Sequence, residues 1–422
     1  MCSLRTFLLE ILYMKKLLFL SIIFFIGCNS NTKDPISEYQ QSLINDGKTG
    51  SNVFKVYKDG EIVYDKVLNS GAVGDRNIDE NTIFAIHSMT KTVTTVAAMI
   101  LHEKGLFQLD DPLHKYLPEF KEVKCKGSEG IYNCENKIKV VDILTHRSGY
   151  IYYLDNGDNW LTGTHNNLYP SYINTSRFNN LDDFSKAVAK HPLEFEPGSM
   201  YAYGLNQAIL GRLIEVISGQ TFYDFLKENI FDKLEMHDTK FHLTDEERLR
   251  LQPLRVNIKP NSVFNQTEYN LDGYTIALDG YSYREDNKAH FGGEGLVSTM
   301  NDFSRFCEML VNDGVYNQER VLSSESIKTM TSKYTNGYPD PDEPGVFPDL
   351  AGYYLGFTFS VLENQDIDGT GAGVGSYGWS GYHNTHFWID PQNKMYGLFM
   401  SRAIEFDFGI PAGLKKATYL KF

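Results

Sequence analysis

The segment Phe84-Ala-Ile-His-Ser-Met-Thr-Lys91 ends an apolar run and leads into a predicted helix. The residues from Thr92 to Lys104 are mostly good helix formers with an apolar stripe, and Gly105 ends them. Positions i and i+3 share one helix face, so Ser88 and Lys91 can touch. Unpaired N–H groups and the macrodipole at a helix N-terminus favour a serine that loses its proton. The pattern predicts a serine nucleophile with a lysine partner, although an N-cap serine and a solvated lysine give the same pattern.

Length and charge narrow the class of protein. The chain has 422 residues, of which 42% are hydrophobic, and this is enough for one large domain or two interlocked ones. The formal net charge of −14 argues against a nucleic-acid partner, which needs a basic face. We find no P-loop, no His-Glu-x-x-His and no internal repeat. No metal and no organic cofactor is expected.

The N-terminus has the form of an export signal. Met14-Lys15-Lys16 precedes an apolar run of roughly ten residues, which is too short for a stable membrane span. The run ends at Gly27-Cys28, a pair that resembles a bacterial lipoprotein signal, in which the cysteine is lipidated. We therefore expect a signal segment at 1–28, with Met14 as the true start, and a polar tether at 29–37. The expected location is periplasmic or on the outer-membrane face, anchored to the lipid bilayer through Cys28; an ordinary cleaved signal or a short anchor is the alternative.

The remaining cysteines are consistent with export. Cys125 and Cys134 flank a short loop, and in an oxidising periplasm they could form a local disulfide. No His or further Cys stands nearby at metal-ligand spacing, so a zinc site is not expected. Cys307 lies in a helical pattern and is predicted to be a buried small hydrophobe.

Strand patterns occur at both ends of the mature chain. Ser51 to Leu68 predicts two antiparallel strands joined at Asp59-Gly60, a strong hairpin signal. The end of the chain reads as sheet, with predicted strands at Tyr354–Leu362, Thr385–Ile389 and Met395–Ser401.

Helical patterns dominate the middle of the chain and predict a second region. The predicted helices there and just beyond are Leu181–Lys190, Asn206–Gly219, Phe222–Leu234 and Asp302–Asp313. Together with the strands they predict an α+β fold, a mainly antiparallel central sheet flanked by helices. The sheet part would comprise 38–108 and 300–422, the mostly helical part 109–299, with a cleft between them.

Three further stretches are candidates for the cleft. Tyr203 stands just before a helix, where it can project into a cleft or simply pack. His146 fits a catalytic base, but its place between an apolar helix end and a Ser-Gly turn favours a structural role. The stretch from Tyr150 to Tyr172, rich in Tyr, Asn and Gly, fits either the wall of a substrate entrance or a surface loop. Gly373–Gly378 matches Gly-x-Gly-x-x-Gly, but no helix follows, which excludes a dinucleotide site.

Several landmarks follow one another in a fixed order. They are Ser88-Met-Thr-Lys91, Ile143-Leu-Thr-His-Arg-Ser-Gly149, Pro197-Gly198 with Tyr203, Gly293-Glu-Gly-Leu-Val-Ser-Thr299, and Tyr377-Gly-Trp-Ser-Gly381 before Phe387-Trp-Ile-Asp-Pro391. This series resembles the serine β-lactamase and penicillin-binding-protein superfamily, and most closely the class C-like branch that includes carboxylesterases. The resemblance extends over nearly all of 38–422 and implies a β-lactamase/transpeptidase-like fold.

The resemblance implies roles for the catalytic groups. Ser88 would be the acylated nucleophile, with Lys91 as its helix partner. Tyr203 would act with the lysine as general base. The backbone N–H groups of Ser88 and Tyr382 would form the oxyanion hole.

The substrate-binding groups depart from the pattern of many members. Many have Tyr-x-Asn, whereas here Asn206 stands one place further on, as in the esterase branch; we assign Asn206 and Tyr150 to substrate binding. Trp379-Ser380-Gly381 stands where β-lactamases carry Lys-Thr-Gly. Losing that lysine removes a charge-assisted contact to an anionic substrate, worth about 1.5–3 kcal/mol.

These departures favour esters over anionic β-lactams. The leading hypothesis is therefore a serine hydrolase that acts on carboxylic esters through an acyl-enzyme. The alternatives are a β-lactamase or D-amino-acid peptidase, and a non-catalytic protein of the same fold that binds muropeptides. The small-molecule partner would be an ester, a lactam or a peptide.

Overall fold

A computed structural model of the chain describes residues 34–152, 177–256, 275–276, 283–335, 350–403 and 406–422. The predicted signal segment with Cys28, and most of the stretch between Tyr150 and Tyr172, lie outside these residues. The helices, some of them only one turn long, are α1 (Pro35–Asn45), α2 (Thr90–Glu103), α3 (Val140–Leu144), α4 (Leu181–Val188), α5 (Asn206–Ser218), α6 (Phe222–Leu226), α7 (Asp245–Arg248), α8 (Met300–Val311), α9 (Ser324–Met330), α10 (Gln365–Asp368) and α11 (Gly409–Lys421). No helix in the described part of the chain is both long and apolar enough to cross a bilayer.

The strands form one large sheet and several two-stranded pairs. They are β1 (Asn52–Lys58), β2 (Glu61–Leu68), β3 (Ile83–Ala85), β4 (Lys124–Gly127), β5 (Gly130–Asn133), β6 (Leu254–Arg255), β7 (Thr275–Ile276), β8 (Val297–Thr299), β9 (Val315–Tyr316), β10 (Glu319–Arg320), β11 (Tyr353–Leu355), β12 (Ser360–Leu362), β13 (Tyr377–Gly381), β14 (Thr385–Asp390) and β15 (Met395–Met400). Seven of them form the sheet in the order β11-β12-β13-β14-β15-β1-β2, and every neighbouring pair is antiparallel. This confirms the predicted α+β class with an antiparallel central sheet.

The predicted N-terminal hairpin is confirmed. Asp59 and Gly60 both have left-handed backbone (φ +50° and +97°), the conformation that a two-residue hairpin turn requires. Strand β1 lies in the interior of the sheet between β2 and β15, and its residues 52–57 are buried on both faces. Helices therefore have to cover both sides of the sheet at this strand.

One face of the sheet is covered by the two ends of the described chain. Ile36 of α1 and Ile410 of α11 pack on Phe54 and Trp388, and all four side chains are buried. The other face meets the larger core, to which α2, α5 and α8 contribute. Helix α2 packs against α5 of the predicted helical part.

Helices α1 and α11 were not predicted. Asp34 caps α1 by accepting a hydrogen bond from Ile36 N, and Pro35 occupies the first helical position, so residues 35–37 of the predicted tether are helical. Helix α11 contains poor helix formers, among them Gly413, where a Cβ would collide with the ring of Tyr39. Packing of α11 on α1 outweighs this weak intrinsic propensity.

Two predicted elements are divided in the structure. The predicted strand Tyr354–Leu362 is a hairpin, β11 and β12, because the chain reverses at Thr358, whose φ is +66°. The predicted helix Phe222–Leu234 is the single turn α6 followed by a π-helical turn at Lys227–Phe231.

A disulfide joins Cys125 of β4 to Cys134, just after β5. It closes the loop that the sequence placed between these cysteines. The two sulfurs and Glu196 lie close together and form the one potential metal-ligand cluster among the described residues. Disulfide-bonded cysteines, however, offer no thiolate to a metal ion. Cys307 is a free, fully buried thiol, as predicted.

Candidate active site

Ser88 occupies the sharp connection between β3 and α2. It lies in a short 3₁₀ turn, His87–Met89, and is partly exposed while both neighbours are buried. The backbone of His87 is left-handed (φ +41°), which turns the chain abruptly before the serine. The predicted position of Ser88 at the N-terminus of a helix is confirmed.

Lys91 is fully buried and contacts three oxygen atoms. Its Nζ donates to Ser88 Oγ (3.2 Å), to the Tyr152 hydroxyl (2.7 Å) and to the carbonyl oxygen of Gly293 (2.6 Å). Pairing of β3 with β8 brings the chain around Gly293 beside the lysine. An ammonium has three N–H groups, so these three acceptors use all of them.

The ring of Tyr203 lies beside the lysine. The Lys91 Nζ is 4.6 Å from the centre of the Tyr203 ring. The centres of the Tyr152 and Trp379 rings lie 5.6 Å and 5.8 Å from the centre of the Tyr203 ring. The structure thus brings Ser88, Lys91 and Tyr203 to one place, as the sequence predicted.

Tyr152 is the site residue that sequence reasoning missed. Its hydroxyl, rather than that of Tyr203, makes the 2.7 Å hydrogen bond with Lys91. The available signal was its place in the Tyr-rich stretch that begins at Tyr150, which gave no means of choosing one tyrosine. Two phenols therefore lie next to the amine, and either can serve as its proton-transfer partner.

A cavity of about 190 Å³ opens beside Ser88 along strand β13. Strand β12 pairs with β13 only at Tyr377 and Gly378, so this pairing ends before Trp379. Trp379 and Ser380 line the cavity together with Tyr203 and Tyr382. The predicted substrate edge therefore faces the nucleophile.

The segments that carry the predicted oxyanion-hole donors are held together at two points. A Cβ at Gly381 would collide with the carbonyl oxygen of Ile86, so only glycine permits this approach of β13 to the nucleophile turn. The residue before Ser88 and the residue after Tyr382 are also joined, because His87 Nε2 and His383 Nδ1 share a hydrogen bond of 2.9 Å. These contacts fix the position of the Tyr382 segment relative to Ser88.

Both histidines of this pair are buried and uncharged at neutral pH. Burial, with the nearby charges of Arg402 and Lys91, lowers the pKa of His87 to about 3. Burial also holds the pKa of His383 well below 6.5, with His87 and Arg402 adding to the effect. Further buried histidines with a lowered pKa are His146, His290 and His386.

We predict a loss of stability in acid from these histidines. Between pH 6.5 and about 3 the unfolded chain binds more protons than the folded chain, so the free energy of unfolding falls as the pH falls. His383→Gln removes one such group, and the slope against pH should become shallower by up to about 1.4 kcal/mol per pH unit. Urea unfolding at pH 4 to 7 measures this slope. An unchanged slope would show that His383 is protonated in the folded protein.

Two residues assigned to substrate binding do not line the cavity. Asn206 is fully buried; its Oδ1 accepts from Ser148 Oγ (2.5 Å) and its Nδ2 contacts His146 Nδ1 (3.2 Å). Tyr150 is also buried, with its ring edge-on to Phe120. Both assignments are corrected to structural roles, because these side chains are enclosed by protein.

His146 has the structural role that the sequence favoured. Its ring is fully buried 4.9 Å from the ring of Tyr203, and its Nδ1 contacts the Asn206 amide rather than Ser88. The His146 ring therefore packs against the ring of Tyr203.

Glu294 places an unexpected carboxyl group next to the lysine. Burial raises its pKa to about 7, and the positive charge of Lys91 opposes that rise. Its Oε1 has no hydrogen-bond partner among the described residues. The sequence shows this residue inside the Gly293–Thr299 landmark but gave no hint of its burial.

Comparison with known proteins agrees with this geometry. A family profile described as Beta-lactamase matches residues 36–406. The chain belongs to the beta-lactamase family. It is 26% identical to the lovastatin esterase of Penicillium rubens, over 86% of this chain and 91% of that protein. It is 24% identical to a putative D-alanyl-D-alanine carboxypeptidase of Escherichia coli, over 82% of this chain and 76% of that protein.

Solved structures of the family share the fold. EstCE1, a hydrolase with promiscuous acyltransferase activity, superposes with a TM-score of 0.70 at 22% identity, over 91% of this chain and 97% of that one. The family membership and its esterase relatives confirm the prediction of a serine hydrolase in the β-lactamase superfamily.

Proposed function

We propose that the protein hydrolyses carboxylic esters through an acyl-enzyme on Ser88. The observation that carries this proposal is Trp379, which lines the cavity beside Ser88 at the position where β-lactamases carry the lysine of Lys-Thr-Gly. An indole ring offers apolar contact to an acyl group and no charge to a carboxylate next to the reacting bond. The lovastatin esterase relative supports the same substrate class.

The site contains the parts for acyl transfer. Ser88 Oγ attacks the ester carbon, and its proton passes to the phenolate oxygen of a tyrosine beside Lys91. The ammonium, which donates its three N–H groups and has no lone pair, cannot take that proton itself. The N–H groups of Ser88 and Tyr382 would stabilise the tetrahedral oxyanion. The phenol returns the proton to the leaving alcohol, and water then attacks the acyl-enzyme by the same route.

Phenylalanine variants distinguish the two phenols. Removing the hydroxyl of the tyrosine that transfers the proton should reduce the acylation rate of the enzyme by about 10²-fold. The family resemblance assigns this loss to Tyr203→Phe. Tyr152→Phe should act mainly by freeing one N–H of Lys91 and should cost less. Stopped-flow acylation by 4-nitrophenyl acetate measures both rates, and a larger loss for Tyr152→Phe would transfer the base role to Tyr152.

The test of the proposal compares an ester with a β-lactam. Wild-type protein should give a burst followed by steady turnover of 4-nitrophenyl butyrate, and little turnover of nitrocefin. Rapid nitrocefin hydrolysis, or stable labelling by a fluorescent penicillin, would favour a lactamase or peptidase. A folded protein that forms no covalent adduct with a fluorophosphonate would favour the non-catalytic alternative.

Trp379→Lys should shift this preference. It restores an ammonium beside the nucleophile and removes an apolar wall, so the nitrocefin-to-butyrate ratio of kcat/KM should rise by about 10-fold or more. Trp379→Phe keeps an apolar ring and serves as the control, with a ratio near that of the wild type. An equal ratio in all three proteins would show that this position does not select the substrate.

We further infer that the protein is exported and lipid-anchored at Cys28. The apolar run before Gly27-Cys28 and the Cys125–Cys134 disulfide support an oxidising compartment outside the cytoplasm. Full-length protein expressed with radioactive palmitate should carry label in the membrane fraction, and Cys28→Ala should lose it. Label that persists in Cys28→Ala would contradict lipidation at this cysteine.

A further inference from the structure

The cavity at Ser88 extends beyond the substrate edge to helix α11. From Trp379 it runs past the aromatic side chains of Phe406 and Phe408. Tyr353, Asp368 and Lys415 also line it. We call these three residues the inner end of the cavity. It is polar, whereas the stretch that leads to it is largely aromatic.

Lys415 brings a poorly satisfied positive charge to this inner end. Its Nζ donates to the Tyr353 hydroxyl (3.0 Å), the one hydrogen-bond acceptor that the described residues offer it. Two aromatic rings lie near it, with Nζ 5.0 Å from the centre of the Tyr353 ring and 5.9 Å from that of the Trp388 ring. Burial lowers the pKa of Lys415, while Asp368 and Asp390 oppose this.

The two nearby carboxylates do not pair directly with the ammonium. Asp368 accepts a 2.5 Å hydrogen bond from the Tyr353 hydroxyl and further bonds from Thr370. Asp390 accepts from Tyr419 (2.6 Å), among others. Within the described residues, neither carboxylate lies within 4 Å of Lys415 Nζ. Among the described residues, two of the three N–H groups of Lys415 therefore have no acceptor and can be donated to a ligand.

Lys415 is partly buried, and an anionic oxygen that accepts from its open donors would stabilise the ammonium. A carboxylate can accept both open N–H groups in short, charge-assisted hydrogen bonds. The aromatic stretch between Ser88 and Lys415 suits methylene groups. A ligand with a reactive acyl carbon at one end, a carboxylate at the other and an apolar chain between would satisfy the whole cavity.

We propose that the inner end of the cavity is a carboxylate subsite, so that the preferred substrates are esters whose acyl chain ends in a carboxylate. The inference rests on the proposed ester hydrolysis for its chemistry. We place the acyl chain, rather than the alcohol, in the cavity. The acyl chain stays bonded to Ser88 after the alcohol has left, so it occupies the site through both steps of the reaction. Lys415 holds its far carboxylate, and Tyr353 positions the ammonium.

Matched esters test the subsite in the whole enzyme. The substrates are 4-nitrophenyl monoesters of dicarboxylic acids from adipic to sebacic acid, each compared with the same compound capped as a methyl ester. At the best chain length, wild-type kcat/KM for the free carboxylate should exceed that for its capped partner by about 10-fold or more. Lys415→Met should reduce this ratio by about 10-fold or more, and because both values come from one preparation, a partly unfolded fraction cancels.

The neighbouring lysine supplies the control. Lys416→Met makes the same substitution at the next position of α11, where the side chain is exposed, and its ratio should equal that of the wild type. A ratio near one in the wild type, or one that Lys415→Met leaves unchanged, would overturn the subsite. The subsite would also be overturned if the enzyme prefers a free carboxylate only on the alcohol side of the ester, as in ω-carboxyalkyl acetates.

A binding measurement separates this proposal from the proposed reaction. Calorimetry compares the Ser88→Ala single variant with the double variant that also carries Lys415→Met. Monomethyl suberate should bind the single variant about 10-fold or more tighter than the double variant. Dimethyl suberate should bind both variants equally. If the wild type hydrolyses no ester, the proposed function fails while this result still decides the subsite. Equal binding of monomethyl suberate to both proteins would overturn it.

Discussion

Ser88→Ala should reduce ester turnover by at least about 10⁴-fold, to the level that substrate binding and the oxyanion hole alone sustain. Ser88 is the partly exposed hydroxyl that lies 3.2 Å from the Lys91 ammonium at the cavity. The change removes one oxygen atom, so the free energy of unfolding should change by only about 1 kcal/mol. Steady-state assays with 4-nitrophenyl butyrate and thermal unfolding measure the two effects.

The control for this variant lies on the facing strand. Ser380→Ala removes another serine hydroxyl at the cavity, one that makes a 2.8 Å hydrogen bond with His386 Nδ1. If Ser380 is the nucleophile instead, Ser380→Ala abolishes turnover and Ser88→Ala does not. That outcome would contradict the assignment of Ser88.

Lys91→Met should have the second largest effect, a loss of about 10²-fold or more in the acylation rate. The ammonium is fully buried and orients Ser88, Tyr152 and the carbonyl of Gly293 at once. Methionine has a similar volume but no donor, so the serine loses its oriented partner and the neighbouring phenol loses a positive charge that favours its ionised form. Stopped-flow measurement of 4-nitrophenol release in a single turnover, with enzyme in excess over ester, should show this lower acylation rate.

A matched variant separates this effect from general damage to the helix. Lys104→Met makes the same substitution just beyond the other end of α2, where the side chain is exposed. Its acylation rate should equal that of the wild type. If Lys91→Met acylates at a rate within about threefold of the wild type, the lysine has no part in activating the serine.

Local patterns predicted what local geometry controls. The Ser88–Lys91 contact follows from three residues of helical spacing, and the hairpin at Asp59-Gly60 follows from its turn residues. Both were therefore readable from the sequence. Tyr203 is distant in the chain and was found only through the order of the landmarks that resemble a known superfamily.

Contacts between residues far apart in the sequence could not be predicted from the sequence. The His87–His383 hydrogen bond joins residues 296 positions apart, and no periodicity marks either one. Tyr152 reaches Lys91 only because of the path its segment takes through the fold. Asn206 was misassigned because the sequence shows that an amide follows Tyr203 but not that Ser148 and His146 engage it.

Tertiary packing also decides the two terminal helices. Residues of α11 such as Gly413 have a low helical propensity, and only the packing against α1 explains why the segment is helical. Lys415 reaches the cavity because of this packing. The proposed carboxylate subsite therefore depends on an element that the sequence alone did not reveal.

The most direct test of acylation at Ser88 is to locate the covalent intermediate. The protein is mixed with 4-nitrophenyl butyrate, quenched in acid during the burst, digested and analysed by mass spectrometry. We predict one butyryl group on the peptide that contains Ser88, and none in Ser88→Ala. A butyryl group on Ser380, or burst-phase turnover with no acylated peptide, would contradict the central claim that Ser88 is the acylated nucleophile.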